Sequence, residues 1–336
     1  MIQKTLRLSA VALASLFAIG AAHAAGATLN IDANVEQDND YVQTKPNGGK
    51  SDSKVTQGGR VEVNFTGKAT NGDAFVAGKG TLILGKSSKE SGDITNLSGT
   101  KTGELELTSN RAGVDDMWVQ FGTGMGDIKL GRFEDVDMWP VGRDTVLNRA
   151  ADPYRAQTLR GRIGSDVFHG VGTLNIAPGM TFSLGIVDQK GLDTRGVRPI
   201  FQFSTGGINL KAGLELGKSG GNDLTGLGLT AGMALAGGNL NVNLANAKIK
   251  DVSKDTTIGA NFTMDLGPWA LLEYGQSKPD GGGTTEKVTT LGLGYQLSLL
   301  GVKGAFVTPA LSYSKVKDGD TVTDLRIRFN YGFNAF

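Results

Sequence analysis

Polar and apolar residues alternate along several segments of the chain, as they do in a β-strand that has one apolar and one polar face. The first such segment spans residues 29–36, and similar segments recur around residues 60–68, 116–121, 208–216 and 324–333. The pattern predicts an all-β chain that forms a transmembrane antiparallel β-barrel, with lipid against the apolar face and water against the polar face. A water-soluble β-protein that buries one face of its sheet is the alternative.

Two classes of connection alternate along the chain, as expected when short turns lie on one side of a membrane and longer loops on the other. The short class consists of turns rich in glycine or proline, at Asn71-Gly72, Gly124 to Gly126, Pro178-Gly179, Gly206-Gly207, Gly237-Gly238, Gly267-Pro268 and near Leu300-Gly301. The long class consists of polar segments, which run over Asp38 to Thr56, Lys86 to Arg111, Glu134 to Arg155, Gln189 to Thr194, Lys218 to Asn222, Asp251 to Lys254, Lys278 to Thr285 and Lys317 to Asp320.

These eight long and seven short connections predict sixteen strands, with both chain ends on the periplasmic side. Fourteen strands is the nearest alternative, because glycines and Glu273 blur the alternation in two places. A barrel of either size is too wide for side chains to fill, so we expect an aqueous lumen and a transport function.

The first 24 residues are expected to be a cleaved export signal. Lys4 and Arg7 precede an apolar run, and the Ala-His-Ala sequence that ends at Ala24 fits the small-residue pattern of a cleavage site. The apolar run is shorter than the roughly 20 residues that span a bilayer. We therefore expect residues 25–336 to form the barrel domain, in the outer membrane of a Gram-negative bacterium.

Composition disfavours several classes of function. Of the 34 Lys and Arg residues two leave with the signal, so 32 remain against 33 acidic residues, which argues against a nucleic-acid partner. The chain has no cysteine, which excludes disulfides, thiolate metal sites and cysteine nucleophiles. His169, the only histidine outside the signal, has no serine or carboxylate at triad spacing, so a hydrolase is disfavoured.

Neighbouring carboxylates do not suggest a catalytic or metal site either. The pairs Asp115-Asp116 and Glu134-Asp135 would be glycosidase acids or calcium ligands only if both side chains faced one site, whereas neighbours on a strand point to opposite faces. We expect no enzyme activity, no cofactor and no metal.

The third long connection, residues 134–155, is the candidate constriction loop, because it is too charged for lipid and long enough to fold into the lumen. Its candidate functional residues are Glu134, Asp135, Asp137, Trp139, Arg143, Asp144, Arg149, Tyr154 and Arg155. The polar parity of the strands supplies candidate pore-wall residues, which are Arg60, Glu62, Lys68, Asp116, Trp118, Gln120, Lys129, Arg160, Arg162, Arg198, Lys211, Glu215, Arg326 and Arg328. Because both signs of charge are present, we expect a transverse field across the constriction rather than a strong ion preference.

Several stretches in the middle of the chain resemble carbohydrate porins of the cyclodextrin and raffinose type. They are DMWVQFG at 116–122, DIKLGRFE at 127–134, RGR at 160–162, GVRP at 196–199 and AGLE at 212–215. The resemblance implies passive diffusion of oligosaccharides through a barrel whose third long loop narrows the lumen. It also implies a monomer with fourteen strands, whereas general porins are trimers, so monomer and homotrimer both stay open.

Binding of sugars requires aromatic rings that stack on pyranose faces. Trp118, Trp139 and Tyr154 are the candidates for this role, while Phe133 and several other phenylalanines are assigned to lipid or to the interfacial girdle. The alternatives are a general porin that selects by size and charge only and a purely structural or adhesive barrel. The expected partners are oligosaccharides or other small hydrophilic solutes, outer-membrane lipid and lipopolysaccharide, and the barrel-assembly machinery.

Overall fold

The structure is a computed structural model that describes residues 27–87, 92–95, 101–105, 110–143, 148–162 and 167–334. The expected export signal and Asp144 lie outside the described residues. The strands are β1 (Thr28–Lys45), β2 (Asp52–Asn71), β3 (Ala74–Ser87), β4 (Gly92–Thr95), β5 (Lys101–Leu105), β6 (Asn110–Thr123), β7 (Gly126–Arg132), β8 (Val167–Ala177), β9 (Met180–Gln189), β10 (Thr194–Thr205), β11 (Ile208–Ser219), β12 (Asn222–Leu235), β13 (Gly238–Ile249), β14 (Ser253–Thr263), β15 (Gly267–Pro279), β16 (Glu286–Ser298), β17 (Ala305–Val316) and β18 (Thr321–Asn334).

Within the described ranges, sixteen of these strands close into one antiparallel barrel, in which each strand pairs with its neighbour in the chain and β1 pairs with β18. The remaining strands, β4 and β5, form a separate hairpin between β3 and β6. The prediction of a sixteen-stranded antiparallel barrel is confirmed. In the described part of the chain, no helix is apolar and long enough to cross a membrane.

Side-chain burial in the barrel is the reverse of that in a water-soluble protein. Large apolar side chains such as Leu214, Phe329 and Leu293 are exposed on the outer face, while polar ones such as Asn243, Thr290 and Ser314 are buried on the inner face. This arrangement suits a sheet with lipid outside and polar groups inside. The predicted parity matches the observed face at Leu214 and Phe329.

Several predicted connections are shorter than expected, because polar residues continue the strand pairing. β1 and β2 pair as far as Thr44 and Asp52, so the first connection is only residues 46–51. The predicted loop at Lys218 to Asn222 is the turn Gly220-Gly221, and a 3₁₀ turn at Lys190–Leu192 replaces the one predicted after Gln189. Other predicted turns shift by a few residues, since Gly267 and Gly238 begin strands.

The connection between β7 and β8 is longer than predicted and runs over residues 133–166. Arg160 and Arg162 therefore lie in this connection, and their assignment to a wall strand is wrong. The reason is local: Ala156 and Arg162 have positive φ, and the Arg160 N–H donates to the Gln157 carbonyl oxygen in a turn. The Arg160 carbonyl oxygen accepts from the Asp135 N–H, which lies in the same connection. Phe133 was assigned to lipid, but it is buried and stacks on His169 inside the barrel.

Candidate functional site

The described residues of the connection between β7 and β8, 133–143 and 148–162, lie inside the barrel, and we call them the inner loop. Its outgoing limb, residues 135–143, crosses the inner wall and contacts one strand after another from β10 to β16. The inward side chains that bond to this limb are Arg198, Lys211, Thr230, Asn243, Asn261, Trp269 and Gln296. At its far end Arg143 donates to the carbonyl oxygens of Met264 and Asp265, at 2.9 and 2.6 Å, in the turn between β14 and β15.

The returning limb, residues 148–162, lies against the same wall. Asn148 donates to Asp324 Oδ2 at 2.8 Å, and the Ala150 N–H donates to Ser314 Oγ at 2.9 Å. Together the two limbs cover the inner face of β10 to β17, which we call the covered wall, and Asn148 reaches beyond it to Asp324 on β18. These contacts hold the described residues of the loop against inward side chains of the barrel.

Glu273 on β15 fastens both limbs to the covered wall. Its side chain is 1% exposed and accepts hydrogen bonds from Trp139 Nε1 at 3.0 Å, from Arg149 Nε at 3.1 Å and from Arg155 Nε at 2.9 Å. Trp139 belongs to the outgoing limb, and the two arginines belong to the returning limb. A carboxylate that is this well shielded and bonded is a strong anchor, because its partners are charge-assisted donors.

A second anchor forms at Arg198 on β10 and Glu215 on β11, whose side chains are both 1% exposed. Arg198 pairs with Asp135 at 3.3 Å and donates to the Ala156 carbonyl at 2.9 Å. Glu215 accepts from the Tyr154 hydroxyl at 2.6 Å and from the Leu159 N–H at 2.6 Å. Burial and the neighbouring Glu215 carboxylate raise the pKa of Tyr154 well above its usual value, so the hydroxyl keeps its proton and donates it.

Inward glycines give the inner loop its room. A Cβ on Gly226 would overlap the Tyr154 hydroxyl, and a Cβ on Gly275 would overlap Pro153. A Cβ on Gly228 would lie 2.7 Å from the Ala156 side chain and 3.3 Å from Met138 Cβ. The covered wall can hold the loop in close contact because these positions have no side chain.

Apolar side chains of the loop and the wall form a core inside the barrel. Met138, Trp139 and Val141 of the loop pack with the wall residues Ile200, Ala245, Trp269 and Leu271, all of them buried. Trp139 is 1% exposed, so its predicted role as a ring that stacks on sugar in the lumen is wrong. The physical reason is that burial of the indole ring against Gly259 is favourable when its N–H donates to Glu273, so the buried position is more stable than one in water.

Where the inner loop leaves and rejoins the barrel, six charged side chains form an electrically balanced junction cluster. Arg162 pairs with Glu134 at 3.1 Å and with Asp116 at 3.4 Å, and it also bonds Asp115. Arg160 pairs with Glu134 at 3.2 Å, and Lys79 on β3 pairs with Asp116 at 3.2 Å. Burial would lower the pKa of Arg162, but the three carboxylates outweigh it and raise that pKa, so Arg162 stays charged.

Lys129 on β7 lies between two aromatic rings next to this cluster. Its Nζ is 4.1 Å from the ring centre of Trp118 and 4.3 Å from that of Phe133, which are cation–π distances. Trp118 is half-buried on the inner face, as its parity predicted. Nearby, Gln120 donates to Asp127 at 2.8 Å.

The inward side chains of β18, β1 and β2 differ from those of the covered wall, because they include long charged residues that pair with one another. We call these three strands the open wall. Arg328 bonds Asp38 at 2.6 and 2.7 Å, and Arg326 bonds Asp40. Arg60 on β2 bonds Glu36 at 2.7 Å and lies 3.9 Å from Glu62, with 41% of its side chain exposed. Lys68, farther along β2, lies over the Phe75 ring at 5.1 Å.

Most of the candidate residues therefore separate into three groups that the sequence did not distinguish. Arg198, Lys211, Glu215, Trp139, Arg143, Arg149, Tyr154 and Arg155 hold the inner loop on the covered wall. Glu134, Asp116, Arg160 and Arg162 form the junction cluster, and Arg60, Glu62, Arg326 and Arg328 belong to the open wall. Glu273, Asp38 and Asp40 were missed; a signal for Glu273 was its charge at the inward parity of an otherwise apolar strand.

No group of three or more histidine or acidic side chains in the described ranges is placed to hold a metal ion. His169 is buried and its Nδ1 lies 3.0 Å from the Phe133 carbonyl oxygen, which is a structural contact at the start of the inner loop. The arrangement as a whole is a lumen narrowed by a fastened loop and lined by paired charges.

Comparisons with known proteins agree with this geometry. A family model described as Gram-negative porin matches residues 9–334. The trimer form of OmpT, an outer membrane protein of Vibrio cholerae, is similar in fold with a TM-score of 0.65 at 13% identity, over 92% of this chain and 100% of that one. An anion-selective porin from Comamonas acidovorans gives a TM-score of 0.58 at 14% identity, over 91% and 100% of the two chains.

OmpF of Salmonella typhi, in complex with daunomycin, gives a TM-score of 0.62 at 15% identity, over 90% of this chain and 97% of that one. At such low identities the likeness concerns the fold alone. The comparison with curated protein sequences found no match.

Proposed function

Because the chain belongs to the Gram-negative porin family, we propose that its lumen selects small hydrophilic solutes by size and by charge. The protein is an outer-membrane channel for passive diffusion. The observation that carries the proposal is the division of the lumen's side chains: the loop aromatics face the covered wall, whereas Arg60 and Glu62 of the open wall and Glu134 of the junction cluster are partly exposed to the lumen.

The inner loop sets the size limit in this proposal. Two buried anchors, at Glu273 and at the Arg198–Glu215 pair, hold it against the wall. Charge selection comes from Arg60, Glu62 and Glu134, whose side chains are 41%, 20% and 35% exposed and therefore reachable by ions in the lumen.

Single-channel recording in planar bilayers tests the proposal. We expect a long-lived open conductance without any ligand, a modest ion preference and a sharp decrease in permeability with solute size. A closed barrel without measurable current would overturn it.

Oligosaccharide diffusion is the second candidate, and half-buried Trp118 is the observation that favours it. Trp139 and Tyr154 no longer support it, since their rings lie against the wall. Titration of oligosaccharides should produce a concentration-dependent current block only if the channel binds sugar, and Trp118→Ala should then remove that block. Unchanged ion current at every sugar concentration would leave selection by size and charge as the function.

The processing and assembly of the chain are also proposals. We propose that residues 1–24 are removed on export, which the mass of the protein purified from outer membranes would check. The trimer form described for Vibrio cholerae OmpT supports a homotrimer over a monomer, and the mass of the unheated protein in detergent distinguishes the two. Contacts with lipopolysaccharide and with the barrel-assembly machinery are expected for any chain of this fold and location.

A further inference from the structure

A cavity of about 400 Å³ lies between the outgoing limb of the inner loop and the covered wall, close to the short-turn end of the barrel. Pro140, Val141 and Gly142 form its loop side. Its wall side includes Asn209, Asn239, Asn241 and Thr263 from β11, β13 and β14. The volume falls within the roughly 300 to 1,000 Å³ of pockets that hold small molecules. We call this cavity the asparagine pocket.

The side chains of the asparagine pocket are equipped to bind groups that both donate and accept hydrogen bonds. Each asparagine amide offers two donors and one acceptor oxygen. Asn209 and Asn239 are exposed to the cavity, and their amides have no hydrogen-bond partner within the described residues. Asn241 donates to Asn261 at 3.2 Å, and the Thr263 hydroxyl is shielded from solvent without a partner in the described part of the chain.

Charge is nearly absent from this pocket, in contrast to the rest of the lumen. Among the described lining residues Asp137 alone is charged, and its Oδ1 already accepts from the Trp139 N–H at 2.8 Å and from Gln157 at 2.6 Å. An anion finds no opposite charge in such a site to compensate for its lost hydration, and the one carboxylate that could compensate a cation already accepts two hydrogen bonds. A neutral solute with several hydroxyl or amide groups can exchange its water contacts for amide contacts at little cost.

We propose that the asparagine pocket is a resting site for neutral polyhydroxy or amide-bearing solutes about the size of one sugar ring. The inference rests on the proposed function, because the solute reaches the pocket through the lumen. It extends that function by giving neutral solutes a site apart from the charged path along the open wall. The recognising groups are the Asn209 amide and the Thr263 hydroxyl, and Asn239 lies beside them on the wall of the same pocket.

The absence of cysteine from the chain permits a direct test. In Asn239→Cys the single thiol lies in the pocket, and its alkylation by iodoacetamide can be followed with and without D-glucose. We expect glucose to slow the reaction roughly two-fold at the concentration that half-fills the pocket. Thr66→Cys, at an inward position of the open wall, is the matched control and should react at the same rate with and without glucose.

A second variant shows whether the neighbouring amide recognises the solute. Adding Asn209→Leu to Asn239→Cys should abolish the protection by glucose, while sodium chloride in place of glucose should protect neither thiol. Equal protection of both thiols, or no protection of the thiol in Asn239→Cys, would overturn the inference. Conductance measured on the same protein separates the two proposals: an open channel without protection removes the pocket only, and a closed barrel removes the proposed function itself.

Discussion

The covered wall and the open wall are built from the same alternating pattern and have opposite interiors. Under the inner loop the inward positions are mostly small, as at Gly226, Gly228, Ala245 and Ser314. The charged side chains of Arg198, Lys211, Glu215 and Glu273 hold the loop. On the open wall the inward positions carry long side chains such as Arg328 and Asp38, which pair across the strands. The covered wall is therefore a protein core, whereas the open wall combines buried charged pairs at Arg326 and Arg328 with partly exposed charges at Arg60 and Glu62.

The difference shows that a polar inner face has two uses in this fold. A face of small residues lets a loop pack at core density, where buried apolar area and shielded hydrogen bonds stabilise it. A face of long charged residues keeps the remaining lumen hydrated and produces an electric field across it. If this division is correct, identical chemical changes on the two walls should have different consequences.

Removing the loop should have the largest effect. With Val136 to Ala151 deleted and Asp135 joined to Asp152 by a Gly-Gly link, the covered wall loses its cover and the pore should widen. We expect a clear increase in single-channel conductance and in the size of the largest permeant solute. Shortening the connection of residues 280–285, outside the lumen, is the control and should leave both unchanged. An unaltered conductance after the loop deletion would contradict the comparison.

Removing one carboxylate from each wall should distinguish a residue that holds the loop from a residue that lines the lumen. Glu273→Gln takes away the shared partner of Arg149 and Arg155, and breaking a buried pair costs about 3 to 5 kcal/mol. Glu62→Gln removes the same charge from a side chain that is 20% exposed, where such a pair contributes less than about 1 kcal/mol.

Unfolding by urea in detergent micelles measures the two losses, and current noise reports whether the loop has become mobile. Both variants should shift ion preference towards anions, because each removes one negative charge from the lumen. Equal losses of stability would show that the two walls do not differ in the way proposed.

The sequence predicted the barrel well because a repeated period of two is a strong local signal. Strand number and antiparallel order followed from the alternation and from turns such as Pro178-Gly179, which depend only on neighbouring residues. Strand ends were less predictable: Asp38 and Asp40 look like loop residues, yet they continue β1 because Arg328 and Arg326 face them from the other end of the chain.

The candidate site was predicted in composition but not in arrangement. Trp139 and Tyr154 belong to a loop that does enter the lumen, but which way their rings point depends on Glu273, Glu215 and the glycines of distant strands. The unusual number of glycines, 51 in the chain, was the available signal, because several of them occupy inward positions on neighbouring strands. The alternation of polar and apolar residues along one strand does not show which distant strands pack against the loop.

Adding a methyl group under the loop should have an intermediate effect. In Gly228→Ala the new Cβ meets Ala156 at 2.7 Å and Met138 at 3.3 Å, so the loop must shift, and overpacking of this kind costs about 1 to 3 kcal/mol. Gly172→Ala, on β8, places its methyl group in open space and should change stability by less than about 0.5 kcal/mol. The free energy of unfolding distinguishes them, and a neutral Gly228→Ala would mean that the loop is not closely packed there.

The smallest change in stability should come from Arg60 on the open wall, together with a clear change in selectivity. Arg60→Gln removes a guanidinium that is 41% exposed, so Glu62 loses its partner at 3.9 Å and Glu36 keeps only Arg328, at 4.0 Å, among the ion pairs of the described residues. The channel should therefore favour cations more strongly. The exposed ion pairs of Arg60 contribute less than about 1 kcal/mol, so the unfolding midpoint should hardly move.

The reversal potential in a potassium chloride gradient measures the shift in ion preference of Arg60→Gln. This shift should grow at low salt, because the Debye length is about 10 Å at 0.1 M and longer below that. Lys248→Gln, on the outer face of β13, removes the same charge outside the lumen and should leave the reversal potential unchanged. An equal shift in both variants would assign selectivity to the net charge of the protein and not to the open wall.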